Sequence, residues 1–569
     1  MNLSLLDRIG DWNPQLFREI KGRLRPRNLT IAVAVSLVGQ LLLMMALASE
    51  LPFDITVDEL LNRYCTGSRE PYSSSPQCLF DAVGSFVINW QLWSLDAFIW
   101  LSVIGIFVLL VAGSYLLISD LSREQQRGTL NFIRLSPQST QTILGGKLLG
   151  VPILLYVVAG LAVPLHLCLG LVAHISLSLI FSFYCIFVAS CLFFYSASLL
   201  IALVSHKLGA FQAFLGSGGV LMFLLMTINI IADSHNITES SADWLMLFSP
   251  SFFLHYLTAS SSIPSDLLRG FKPNDLNLLH WFYLPVGASA WSATSFMLLN
   301  YGFSTYLVWQ ALKRCFHNPS STILSKRQSY QLTAFFTVMI VGFSWQRPES
   351  NNDLETFFFN FGFLGVFNLV LFIGLIAVLS PQRQALQDWA RYRHQNSSSR
   401  KQDIWQDLIW GEKSPAIVAV GINLAISAAI LMPWALFWAG SNYKRAALLS
   451  LVLSINVILV YAGITQLMLL MKAPKRGIWA ASTVGGLIIL PPIILQVLSI
   501  EPDKQPILWL FSAFGWAAVK DASTTAVLMA VLSQWLGLTL LGLQLRRQLQ
   551  KAGESSTKSL LGGRTLPTA

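Results

Sequence analysis

Apolar runs of about 20 residues, separated by short polar intervals, recur along the chain from Leu29 to Leu543. One helix needs about that length to cross a hydrocarbon layer about 30 Å thick. The pattern predicts spans at 29–49, 97–119, 147–170, 176–204, 210–232, 286–310, 331–345, 357–380, 416–439, 446–471, 478–498 and 524–545. Backbone groups in lipid must pair within their own helix. The expected fold is therefore all-α, a polytopic membrane protein of about 12 transmembrane helices, with both termini on one side.

Composition agrees with this reading. Of 569 residues, 54% are hydrophobic and only 12% charged, outside the range of soluble domains. The net charge of +10 has to be read by location. One face of the predicted topology carries 29 of the 38 Lys and Arg and 10 of the 28 Asp and Glu. Basic loops stay in the cytoplasm, so the expected protein is a multi-pass component of the cell (inner) membrane with both termini inside. The basic total thus points to membrane lipid as partner and not to nucleic acid.

The polar intervals divide the chain. In residues 1–28, Leu16, Phe17, Ile20 and Leu24 recur at helical spacing among Arg18, Lys21, Arg23, Arg25 and Arg27, the mark of a helix lying along the inner leaflet. A first six-helix half is expected over 29–315, a basic linker over 316–330, a second six-helix half over 331–548, and a disordered Gly/Ser/Thr-rich tail over 549–569. Leu508, Phe511 and Ser512 stand before the last span as Leu245, Phe248 and Ser249 stand before the sixth. Halves with an even number of spans point the same way, so the repeat is expected to be parallel. Between 233 and 285 the stretch from Trp244 to Phe253 is too apolar for a free loop and suggests a partly re-entrant or interfacial hairpin. Cys65 and Cys78 share the large loop 50–96 and are a candidate disulfide pair; the other four cysteines read as small apolar residues.

The most informative interval is 118–150. Arg123-Glu124-Gln125-Gln126-Arg127 is charged and helical in character, and Gly128-Thr129 follows. Leu130, Ile133 and Leu135 then make a short amphipathic element, and Ser136-Pro137 reads as a helix start. This order resembles the signature of the ABC-2 family of transporter membrane subunits, through Glu124, Arg127, Gly128, Thr129, Pro137, Gly146 and Lys147. The resemblance implies that 1–28 is an elbow helix. It implies that Arg123, Glu124, Arg127, Gly128, Thr129 and Pro137 form a cytoplasmic coupling element against a separate ABC ATPase subunit. It implies export. In the second half, Pro381–Pro415 offers Trp405 and Glu412 as a weaker counterpart, ending in Ser414-Pro415 but lacking the Gly-Thr cluster.

Chemistry that the sequence lacks sharpens the expectation. Gly145-Gly146-Lys147-Leu148 has neither the earlier Gly nor the Ser/Thr of a phosphate loop, so the chain is expected to bind no cofactor and to draw on ATP through its partner. No His/Cys set has metal spacing, and no Ser/His/Asp arrangement stands out. Lys520 and Asp521 apart, no acidic or basic pair is expected in or near the spans, which disfavours an ion-driven carrier. The expected function is the permease subunit of an ATP-driven exporter; the rival is a non-transporting membrane scaffold or assembly factor of the same architecture.

Overall fold

The computed structural model describes residues 10–52, 61–68, 76–82, 84–205, 208–232, 240–272, 276–345, 353–395, 404–438 and 444–553. The regular elements among these residues are helices, with isolated β-bridges in the loop before the second long helix. The first nine residues of the expected elbow, and the expected tail from 554 onward, lie outside them.

The contacts divide the chain into two compact units. The first comprises Met1–Thr238, Asp243–His280 and Leu284–His317. It holds α1 (Pro14–Arg23), α2 (Pro26–Ala48), α3 (Trp90–Gln126), α4 (Thr129–Arg134), α5 (Thr140–Gly150), α6 (Ile153–Val172), α7 (Leu177–Val204), α8 (Phe211–Ala232) and α9 (Ala290–His317). The second comprises Glu239–Ala242, Trp281–Tyr283 and Asn318–Ala569. It holds α10 (Lys326–Phe343), α11 (Asp353–Leu379), α12 (Arg383–Gln395), α13 (Ile404–Trp410), α14 (Ala416–Trp438), α15 (Lys444–Leu469), α16 (Arg476–Val497) and α17 (Thr524–Gly553).

Among the described residues, ten helices are long and apolar enough to cross a membrane: α2, α3, α6, α7, α8, α11, α14, α15, α16 and α17. Their outer surfaces are apolar, as on α2, where Val35, Leu41, Leu42 and Met45 are all more than half exposed. A water-soluble protein would bury such a face; a bilayer solvates it. The expected spans at 286–310 and 331–345 fall on α9 and α10, which are not among the ten. On α10 the reason is visible: Ser329, Thr333 and Thr337 are fully buried at four-residue spacing, and Thr333 donates to Asn423 of α14 at 2.7 Å. Its polar side chains satisfy the neighbouring helix, which lowers its hydropathy without exposing them.

Several expected boundaries move. The helix expected to enter the membrane from Ser136-Pro137 starts at Thr140 instead, because the Ser136 hydroxyl donates to the Ile133 carbonyl and closes α4, leaving Ser139 to accept from the Thr142 N–H. That helix, α5, is distinct from span α6; the turn between them holds Pro152, which has no N–H to continue the ladder. The linker expected over 316–330 is shortened, since Ser325 and Gln328 form a reciprocal capping box that starts α10 at Lys326. Residues 549–553, expected to be disordered, complete α17. In the second unit Phe372, Leu375 and Ile376 of α11, Ala419 and Val420 of α14, and Tyr461 and Ala462 of α15 make one buried core. The apolar stretch between α8 and α9 forms short helices, Asp243–Met246 and Leu254–Ala259, with Phe252, Phe253, Leu254 and Leu257 buried.

Candidate functional site

The 118–150 interval folds around one lysine. Asp120 and Glu124 stand four residues apart at the Gln126 end of α3, so both carboxylates share a helix face. Lys147 of α5 is 1% exposed, and its ammonium lies 2.8 Å from Asp120, 2.9 Å from Glu124 and 3.5 Å from Glu19 of α1. Arg23 closes on Asp120 at 2.6 Å and on Glu19 at 3.3 Å, and Arg18 on Glu124 at 2.8 Å. Three cations thus meet three carboxylates across three helices. Burial by itself would lower the Lys147 pKa, but Asp120, Glu124 and Glu19, with the hydrogen bond to Asp120, outweigh it and hold the pKa above its usual value. The expectation of no acidic or basic pair near the spans is corrected here. It is corrected again at the other end of α3, where Arg63 pairs with Asp96 at 2.8 Å.

Local sequence brings these helices together. Asn13 caps α1 by accepting from the Leu16 N–H at 3.0 Å and donates to the Thr142 carbonyl at 2.9 Å, tying α1 to α5. Gly146 lets the two touch: a Cβ there would stand 2.8 Å from Asn13 Oδ1 and from the Leu16 nitrogen. Gly146 and Lys147 therefore serve helix packing and a buried charge, which explains why this Gly-Lys has no phosphate-loop frame around it. The carboxylate oxygens of Glu19, Asp120 and Glu124 lie within 4.8 Å of one another, the spacing a metal ion would take, and the Lys147 ammonium is the cation they share.

Beyond Glu124 the chain turns outward. Gly128 has φ +72, a left-handed conformation that a side chain would strain, and it ends α3 so that α4 can leave at an angle. Thr129 donates to the Glu124 carbonyl at 3.2 Å and braces the turn. Leu130 is buried beneath α4, whereas Phe132 and Leu135 are 78% and 83% exposed. Arg123, Arg127 and Pro137 are exposed on the same stretch. Arg134 lies over the Phe316 ring at 5.5 Å.

Of the residues expected to couple in the first half, Glu124 belongs to the charge network, and Arg123, Arg127, Gly128, Thr129 and Pro137 lie along the stretch 123–137. Trp405 and Glu412 belong to the second unit, Trp405 on α13 with 67% exposure and Glu412 in the turn after it. There the buried cation is Lys326, 3% exposed, whose ammonium donates to the Leu408 carbonyl at 2.6 Å, the Ser414 hydroxyl at 2.6 Å and the Pro415 carbonyl at 3.5 Å. Burial pushes its pKa down to about 8, with Asp407 opposing. Asp407 itself is paired with Arg393. Cys65 and Cys78 are joined by a disulfide with Cα atoms 4.7 Å apart.

Sequence reasoning missed Glu19 and Asp120 as partners of Lys147, and Arg18 and Arg23 as partners of the same carboxylates. The signal available was a lone lysine in an apolar helix together with the four-residue spacing of Asp120 and Glu124. Compared with family models, with curated proteins and with solved structures, the chain finds no match.

Proposed function

We propose that the chain is the membrane subunit of an ATP-driven transporter resembling the ABC-2 exporters, and that α4 docks on a separate cytoplasmic ATPase. On this reading α9 and α10 cross the bilayer with the other ten long helices. The two units are then parallel six-helix halves, and both termini face the cytoplasm of the cell membrane. ATP is held and hydrolysed by the partner.

The observation that carries the proposal is the form of α4. A short helix leaves the span through a left-handed glycine and leaves Phe132 and Leu135 uncovered on the same stretch as the exposed Arg123 and Arg127. Two large apolar side chains at about four-fifths exposure gain nothing from the fold, whereas covering them on a partner would contribute roughly 1.5–3 kcal/mol each. The buried charge network beneath gives that surface a rigid root, so force applied at α4 would reach α3, α5 and α1 together.

The test is co-purification from detergent with nucleotide hydrolysis as readout. The chain should bring down an ATPase bearing a phosphate loop. Arg127→Glu should lower the retained hydrolysis severalfold, with the chain still in the membrane at its normal level. A chain that never associates with such an ATPase, or an Arg127→Glu variant with unchanged coupling, refutes the docking role. A scaffold of the same architecture would show no hydrolysis that depends on α4.

A further inference from the structure

The helix that ends in Asp120 and Glu124 is not uniform. Between Trp90–Phe107 and Gly113–Gln126 it contains a π-helical segment, Val108–Ala112. A π turn closes i→i+5 in place of i→i+4 bonds, so it stows one extra residue and leaves backbone groups poorly paired. Such a segment persists when its surroundings over-determine it. Here Tyr195 of α7, fully buried, donates its hydroxyl to the Leu109 carbonyl at 2.8 Å. Gly113 closes the segment, and a Cβ there would stand 2.3 Å from the Tyr195 oxygen. Another flank of the segment borders an open groove of about 440 Å³ lined by Phe107, Val108, Val111, Ala112, Ser217 and Leu221, among others.

We propose that Val108–Ala112 sets the rotational phase of the Gly113–Gln126 half of α3, and that Tyr195 is the positioning residue holding that phase. If the segment straightened into α-helix, its stowed residue would pass along the axis. Everything beyond would then advance by about 100° and about 1.5 Å. The Trp90 end is pinned by the Arg63–Asp96 pair, so the movement falls on the Gln126 end. There Ser119 would take the place of Asp120, and Arg123 the place of Glu124. An arginine would replace a carboxylate facing Lys147 and Arg18, and the network at the root of α4 would come apart. The charge network is therefore compatible with only one of the two registers, and the switch between them lies inside the span, remote from α4. The proposal deepens the coupling reading, but its test requires no ATPase, so the two fail separately.

The register can be read by cross-linking paired cysteines with a bifunctional thiol reagent in the full chain in native membranes. Arg18→Cys paired with Glu124→Cys, bridged by a bifunctional thiol reagent about as long as the two side chains it replaces, reports the π register, since those side chains meet at their tips, 2.8 Å apart. Arg18→Cys paired with Arg123→Cys reports the straight one. With Tyr195 in place the Glu124 pair should dominate. Tyr195→Phe should raise the yield of the Arg123 pair roughly fivefold, the equilibrium equivalent of one buried hydrogen bond of about 1 kcal/mol. Deleting Val111 from the Tyr195→Phe chain removes the extra residue and should restore the Glu124 pair while abolishing the Arg123 pair. An Arg123-pair yield that ignores both changes overturns the proposal. So does the absence of cross-linking from either pair in chains that reach the membrane at normal levels.

Discussion

Among the described residues each unit buries one lysine at a polar element beside its helices, and the two are solved differently. Lys147 is matched by three carboxylates drawn from two other helices. Lys326 has no carboxylate within salt-bridge distance among the described residues and is held by carbonyls and a hydroxyl around the α13–α14 turn. In the first arrangement opposite charges hold the proton on the lysine. In the second, dipoles compensate burial only in part, and the pKa falls to about 8. The first is an electrostatic joint between three helices; the second is a staple from α10 to the α13–α14 turn. This contrast runs parallel to the surfaces they support, since α4 presents exposed Phe132 and Leu135 beside arginines, whereas α13 presents exposed Trp405 and Trp410.

Removing each ammonium is the strongest way to test that difference. Lys147→Met leaves Glu19, Asp120 and Glu124 facing one another with only Arg18 and Arg23 at the rim, and uncompensated buried charge of that kind costs about 3–5 kcal/mol. Lys326→Met strands two carbonyls and a hydroxyl but no charge, and should cost about 1–3 kcal/mol. Thermal unfolding of the two variants in detergent should rank them in that order, with α4 gaining hydrogen exchange only in the first. Equal losses would mean that the carboxylates around Lys147 are solvated and that the joint is no stronger than the staple.

How much of this was legible in sequence differs between the same two regions. Helicity and the ten apolar spans follow from hydropathy, because lipid-facing residues such as Val35 and Leu42 have no other purpose than to be apolar. The spans read at 286–310 and 331–345 are less apolar, and on α10 the polar residues face protein: a window that averages over both faces scores the buried Ser329, Thr333 and Thr337 as it would exposed ones. At the site, Glu124, Gly128 and Lys147 could be singled out from local order. The partnership with Glu19 could not, because 128 residues separate it from Lys147 and nothing in one sequence encodes a contact of that range. The sequence places Lys326 in a basic linker, because a linker lysine and a buried lysine look alike until Ser414 and the Leu408 carbonyl are seen to accept from it.

A smaller effect sharpens the comparison at the surface. Gly128→Ala meets no neighbouring atom within 4 Å, so the whole cost lies in its φ of +72, about 1–2 kcal/mol for a residue with a side chain. Gly411, at the corresponding turn after α13, is limited by space instead, as a Cβ there would stand 2.5 Å from the Asp407 carbonyl oxygen. Replacing Gly128 by Asn, which tolerates the left-handed region, should recover most of the loss at that position. Asn at Gly411 should recover none. Unfolding midpoints for the four variants check this, and an Asn that fails to outperform Ala at 128 would show that the turn is held by packing.

Per pH unit, the smallest expected effect is the one that separates the two lysines by sign. Lys326 has a folded pKa near 8, below the value of about 10.4 it takes when unfolded. Between those values the unfolded chain binds more protons, so stability rises with pH across this window as the cost of burying the charge is relieved. Lys147 has its folded pKa raised, so its contribution is complete below about 10.4 and is lost only above that. Each pH unit of this window should add on the order of 1 kcal/mol. The gain should therefore appear as an upward drift of the unfolding midpoint from pH 8 to 10 in the parent chain that is missing in Lys326→Met. In Lys147→Met the drift should persist, because the group causing it is untouched. Parallel pH profiles for the parent and Lys326→Met would mean that Lys326 stays charged in its loop, and that the carbonyls around it hold a proton as firmly as the carboxylates around Lys147.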